Sequence, residues 1–161
     1  MSAVQDNAFR RLVSNRKALR DYSVIDRLEA GIALQGTEVK SLRRGEASLL
    51  GAYARVEEDQ VLLYGFNIPA YEYGNRFNHD PIRPRRLLLH GREIRRLKGQ
   101  TDQKGYALIP LNVYLKRGLI KVDLGICKGK TGSDKRETLR RKTAEREAER
   151  AISAARRSAA G

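Results

Sequence analysis

Tryptophan is absent, and the 161 residues hold only seven Tyr and three Phe, 6% of the chain. That scarcity leaves no paired aromatic platform of the kind on which an RNA-recognition motif stacks bases. The single cysteine, Cys127, excludes an intramolecular disulfide and a metal site built on several thiolates, and it suits a reducing cytoplasm. His79 and His90 are the only histidines, and neither stands in the H-x-x-x-H or H-E-x-x-H spacing that would set two ligands on one helical face. No stretch approaches the roughly 20 apolar residues of a membrane span, and MSAVQDNAFRRLVSNRKALRDY lacks the apolar core of a signal peptide. A soluble cytoplasmic chain with no membrane partner is expected. Negative charge is also short: 19 Asp+Glu face 33 Lys+Arg, a net charge of +14. Such an excess favours a polyanionic partner, nucleic acid first.

The length allows one core with tails. From Asp21 to Cys127 apolar clusters alternate with Gly, Pro and Asn/Asp signals, whereas Lys128 to Gly161 has only Leu139 and Ile152 as large apolar residues. This last segment carries 11 Lys+Arg against 5 Asp+Glu, and the rest of the chain 22 against 14, so both parts are basic. The segment has too little to bury to fold alone. We therefore divide the chain into an N-terminal arm (1–14), an RNA-binding barrel (15–127) and a basic tail (128–161).

Within the barrel, Ile120, Val122, Leu124 and Ile126 alternate with Lys121, Asp123 and Gly125, the period of a strand with one buried face. Leu108 to Lys116 precedes it, and Lys116-Arg117-Gly118 makes a compact turn between the two. Ala52 to Val56 and Val61 to Gly65 form a second hairpin around a polar turn, and Tyr22 to Leu34 is another strand, bent or bulged near Gly31. Helices are predicted at Thr37 to Arg44, stopped by Gly45, and at His90 to Lys98, stopped by Gly99. The fold class is mainly β with short helices: a small antiparallel oligonucleotide-binding-type β-barrel, plus a basic C-terminal tail that is helical when bound. Asp134 with Glu137 three residues on makes a capping-box-like start for that tail helix.

Gly129-Lys130-Thr131 ends as a P-loop ends, but the motif requires glycine where Leu124 stands, so Lys128 to Gly132 reads as a basic hinge. His79-Asp80 reads as part of an Asn78 to Pro81 turn rather than as an acid/base pair. The segment Arg83-Pro-Arg85-Arg86 before Leu87-Leu88-Leu89 is different: its guanidiniums suit phosphate, and its leucines anchor it to the core. Arg16, Lys17 and Arg20 form a second basic cluster, and Lys121 lies on the polar face of the last hairpin. Recognition of folded RNA by shape and backbone is expected, without catalysis or cofactor.

Asn15-Arg16-Lys17-Ala18, the run Gly36-Thr37-Glu38-Val39-Lys40-Ser41-Leu42-Arg43, and Asn78 to Pro81 with Arg83, Arg85 and Leu87-Leu88-Leu89 occur in order. Lys128-Gly129-Lys130 and Asp134-Lys135-Arg136 follow. Together they closely resemble the bacterial family of SsrA-binding proteins, small protein B. The resemblance implies an adaptor of trans-translation that binds the tRNA-like domain of transfer-messenger RNA and delivers it to stalled ribosomes, and a monomer is expected. It implies further that the tail enters the empty mRNA channel at the small-subunit decoding centre. It assigns RNA recognition to Glu29, Leu88 and Lys121, which join Asn15, Arg16, Lys17, Arg83, Arg85, Arg86, Lys128 and Lys130 as RNA-binding candidates. The ribosome-facing candidates are Asp134, Lys135, Arg136, Arg140, Arg141 and Lys142. A ribosomal or general structured-RNA-binding protein is the alternative, and an RNA-processing enzyme the third.

Overall fold

The computed structural model describes residues 9–74, 78–130 and 132–160. Seven strands form one sheet: β1 (Phe9–Ser14), β2 (Tyr22–Ile32), β3 (Tyr53–Glu57), β4 (Gln60–Tyr64), β5 (Arg85–Leu88), β6 (Ala107–Lys116) and β7 (Leu119–Gly129). Hydrogen bonds run β6–β3–β4–β5–β2–β7, and β7 pairs back onto β6, so the sheet closes into a barrel. Closure removes the open edges that would otherwise invite pairing with other chains. β6 is long enough to serve both halves, because Ala54 of β3 meets it at Leu108 while β1 pairs with Asn112 to Lys116. The sheet therefore starts earlier than the sequence reading places it. Residues 9–14 are not an arm but a strand whose Val13 is buried, and the rest of the predicted arm, 1–8, lies outside the described residues.

Both predicted hairpins are present. β6 and β7 pair from Ala107–Cys127 to Lys116–Leu119, and Arg117 (φ 52°) and Gly118 (φ 79°) make the two-residue turn. Both turn residues have positive φ, the geometry that matches the natural twist of paired strands. Gly31 is not a bulge. It pairs in register with Leu88 of β5, and a Cβ there would stand 3.1 Å from the Leu88 Cβ, so the glycine permits a close approach between strands.

Among the described residues, three helices accompany the barrel. α1 (Arg16–Asp21) starts at Asn15, whose Oδ1 accepts from Ala18 N–H at 3.2 Å. α2 (Gly36–Arg43) sends Leu42 into the core, and its Glu38 accepts from Gln35 N–H at 2.8 Å. In α3 (Gly91–Lys104), Glu93 accepts from His90 N–H at 3.0 Å. The predicted stop at Gly99 is overturned: α3 continues to Gly105, which takes the left-handed conformation at φ 66°. A mid-helix glycine costs only ~1 kcal/mol, and the fully buried Leu97 holds the helix to the barrel.

The core comprises the inward residues of the strands, with Leu42, Leu49, Phe66, Ile68 and Leu97 closing it. A smaller cluster of Ala18, Ile109, Leu111 and Cys127 lies under α1. Burial pushes the Cys127 thiol up to about 11, so it stays protonated and unreactive at neutral pH. The chain divides into two compact units, 1–128 and 129–161. The second holds one helix, α4 (Gly132–Ala160). Of its described side chains from Arg140 to Arg157, all but Lys142 are exposed, as expected for a segment whose apolar content is mostly alanine.

Candidate nucleic-acid interface

Strand alternation sorts the basic residues into those that reach solvent and those that cannot. On β5, Arg85 and Leu87 point inward, while Arg86 and Leu88 point outward, with Leu88 49% exposed. Leu88 sits opposite Gly31 of β2, and two residues back on the same face of β2 stands Glu29. The Glu29 carboxylate accepts from the Tyr114 hydroxyl of β6 and from Lys116 Nζ at 3.2 Å. Lys121 of β7 pairs in register with Tyr114. Arg86, Leu88, Glu29 and Lys121 thus come from three neighbouring strands of one outward face, joined by Lys116.

The Tyr114 hydrogen bond is the main force holding the Glu29 carboxyl below its usual range; slight burial opposes it, and Lys116 and Lys121 reinforce it. Glu29 is therefore an anion in a cationic surrounding at neutral pH. Tyr114 is displaced upward, by burial and by the same carboxylate, and remains a neutral donor.

Arg85 does not join this face. It is completely buried: its Nε donates to Glu38, Nη1 to the Phe66 carbonyl, and Nη2 to the Pro81 carbonyl at 3.1 Å. A guanidinium spent on internal acceptors cannot reach phosphate, so the assignment of Arg85 to RNA is corrected to a structural one. Arg83 is shared: its Nη2 donates to the other Glu38 oxygen, while the side chain keeps 27% of its surface exposed. Burial raises the Glu38 carboxyl, but hydrogen bonds from Arg83, Gln35 N–H and Arg85 outweigh it and leave the group lowered.

Asn15 is a second correction. Besides capping α1 it donates through Nδ2 to the Pro110 carbonyl at 2.9 Å, and only 6% of it is exposed. Arg16 and Lys17 beside it are exposed on α1. Lys17 edges a cleft of about 600 Å³ that also presents Arg55, Asp21 and Asp102, so opposite charges balance there. His79 is buried in the turn, with Nδ1 2.8 Å from the Thr37 hydroxyl and Nε2 2.8 Å from the Ile68 carbonyl. The carbonyl can only accept, so Nε2 carries the proton, and the ring ties the start of α2 to the segment that follows β4.

Lys128 is exposed at the end of β7, and Lys130 is half-buried in the second unit. Asp134, Lys135 and Arg136 fall within α4, but their side chains lie outside the described residues, as does Thr131 of the Gly129-Lys130-Thr131 run. Arg140 and Arg141 are exposed on α4, and Lys142 is half-buried.

The family model described as SmpB protein matches residues 12–154. The chain belongs to the SmpB family. It is 53% identical to the SsrA-binding protein of Shouchella clausii over 141 residues, 88% of this chain and 90% of that one. It is 54% identical to the SsrA-binding protein of Caldanaerobacter subterraneus subsp. tengcongensis over 139 residues, 86% of this chain and 88% of the other. A solved structure described as "tmRNA-SmpB: a journey to the center of the bacterial ribosome" matches with a TM-score of 0.64 and 47% identity. It covers 80% of this chain and 94% of its own. Among the described residues, no helix of this SmpB-family chain is long and apolar enough to cross a membrane.

Sequence reasoning missed Tyr114 and Lys116, which build the Glu29 site, and Glu38, which withdraws Arg85 from it. Tyr114 reads as one more apolar residue of a strand, and nothing local ties it to a carboxylate 85 positions earlier. The face they form gives a direct test. Lys121→Glu is expected to weaken binding of tRNA-like RNA by well over the loss from Lys104→Glu, because Lys104 stands exposed at the end of α3, outside this face. Parallel titrations of the two variants check this; equal losses mean that charge acts diffusely.

Proposed function

We propose that the chain is an RNA-binding adaptor of trans-translation that holds the tRNA-like domain of transfer-messenger RNA and delivers it to stalled ribosomes. The observation that carries this reading is the 53% identity to an SsrA-binding protein across 88% of the chain. In this reading the outward face of β5, β2 and β7 meets the RNA: Arg86 and Lys121 serve phosphates, and Leu88 and Glu29 serve bases. Arg16, Lys17, Lys128 and Lys130 add backbone contacts, and Arg83 contributes from its exposed side. Arg140, Arg141 and Lys142, with Asp134, Lys135 and Arg136 before them, face the ribosome as the tail enters the mRNA channel left empty by a truncated message. The protein works in the cytoplasm as a monomer, takes no cofactor and breaks no bond; its contribution is shape and charge.

Purification of the chain from growing cells with sequencing of the bound RNA tests the proposal. Transfer-messenger RNA is expected to dominate far beyond its abundance relative to tRNA and ribosomal RNA. Unselective recovery of structured RNAs would replace the reading with that of a general RNA-binding protein.

A further inference from the structure

The barrel closes unevenly. β3 pairs with β4 along its whole length, from Tyr53–Tyr64 to Glu57–Gln60, but it meets β6 at one position, Ala54–Leu108. Around that single contact lies the cleft of about 600 Å³ that Lys17 edges. Successive residues line it, Gly51 to Val56 on one side and Tyr106 to Ile109 on the other. Neighbours along a strand point to opposite faces, so a cleft lined by both runs along the strand edges and not over one face. It is a gap in the seam of the barrel, and strand edges that stand apart offer N–H and C=O groups to another strand.

The lining suits a protein segment better than a polyanion. Its buried residues include Ala18, Ala52 and Ala54, whose small side chains leave depth, while Tyr22, Tyr53 and Tyr106 stand partly exposed around them. Tyr53 stacks on Tyr64 across the β3–β4 pair with centroids 5.5 Å apart, which fixes one wall. A slot with alanines at its base and aromatic rings nearer its mouth accepts a large aromatic side chain. Its rim carries both signs of charge, Lys17 and Arg55 against Asp21 and Asp102, on a chain whose net charge is +14. Phosphates therefore gain little net attraction here, whereas a segment bearing both charges meets a partner for each.

We infer that this seam is the docking site of an extended segment of a partner protein, which adds a strand beside β3 and sets an aromatic side chain in the slot. Beyond the Ala54–Leu108 bridge, β3 continues through Arg55, Val56 and Glu57 with β4 as its strand partner, so its other edge is the one that faces the gap. In strand addition the backbone supplies affinity, and every second side chain of the guest turns toward the host's pocket, which supplies selectivity. The site is separate from the outward face of β5, β2 and β7 and does not rest on the RNA-binding reading. It gives the barrel a protein partner of its own, recognised by main chain, one ring and a charge of each sign.

The chain has no tryptophan, so a tryptophan in a peptide reports its own capture by fluorescence. The probe is acetyl-Lys-Val-Trp-Val-Glu-amide, whose valines favour an extended backbone, titrated into the full-length chain. Saturable binding with blue-shifted emission is expected, with amide NMR shifts centred on residues 51–57 and 106–109. Proline in place of both valines removes strand donors and should weaken binding about tenfold. Tyr53→Ser should cost about tenfold through the lost wall. Asp102→Asn, exposed on α3, should cost about threefold, and only for a peptide that carries the lysine. Neither variant should alter affinity for tRNA-like RNA, and thermal melting checks that both fold. Absence of saturable binding overturns the inference, as does equal binding by the proline peptide or by Tyr53→Ser. Displacement of the peptide by tRNA-like RNA, with Tyr53→Ser weakening that RNA, overturns it in favour of a further RNA surface.

Discussion

A chain ending at Lys130 is expected to fold, to bind transfer-messenger RNA and to support no tagging on stalled ribosomes. Folding survives because the cut leaves the compact unit of residues 1–128 whole, with every barrel strand and both buried clusters inside it. RNA binding survives because Arg86, Leu88, Glu29 and Lys121 stand on β5, β2 and β7. What is lost is α4, whose exposed Arg140 and Arg141 offer charge without an apolar face large enough to bury. On a ribosome, phosphate contacts would offset the ordering of such a segment; in free solution its alanine-rich stripe gives it little tertiary support. Amide exchange on the free protein is accordingly expected to show protection across the barrel and little across 132–160. The decisive pair of measurements is an RNA titration and a tagging assay on the shortened chain. Tagging at the full-length rate without the tail would defeat the division of labour between barrel and tail.

Arg85→Ala is expected to destabilise the fold by about 3–5 kcal/mol, the range for removing one partner of a buried ion pair. The substitution leaves Glu38, itself fully buried, without one of its two cations and strands the Phe66 and Pro81 carbonyls that Arg85 now satisfies. Arg86→Ala, one residue on but exposed, should move stability by no more than ~0.5 kcal/mol. Urea denaturation of the two variants makes the comparison, and equal small losses would show that the Arg85 network contributes nothing net. The same network sets an acid limit. The Glu38 carboxyl is lowered in the folded protein, so its stabilisation is complete above the ordinary carboxylate range and disappears as the pH falls through the folded value. Glu38→Gln should therefore be less stable at neutral pH and should lose less of its stability on acidification.

The contrast between Arg85 and Arg86 marks where sequence reasoning ends. Arg83, Arg85 and Arg86 look equivalent in a basic run, and Leu87-Leu88-Leu89 is apolar throughout, so no alternation fixes which residues of β5 face inward. Phase is set by pairing with β2 on one side and β4 on the other, at Leu87–Ile32 and Leu87–Val61. That pairing turns Arg85 toward a carboxylate 47 positions away and Leu88 into solvent. α1 was missed for another reason: six residues make too short a pattern, and the Asn15 cap that defines them also depends on the Pro110 carbonyl of a distant strand.

By itself the sequence determined the class of protein. Its charge favoured a polyanion, its period-two runs and the Arg117-Gly118 turn specified hairpins, its tail could not bury a core, and its Gly-Thr-Glu-Val-Lys-Ser-Leu and Leu-Leu-Leu runs pointed to the SmpB family. Each of these signals is local, carried by neighbours along the chain. Only the tertiary structure decided which cations are free for RNA and how an acid can belong among them, because burial and hydrogen bonding between residues far apart in sequence are settled when the barrel closes. The Glu38–Arg85 pair inside and the Glu29–Tyr114–Lys116 group outside are both products of that closure.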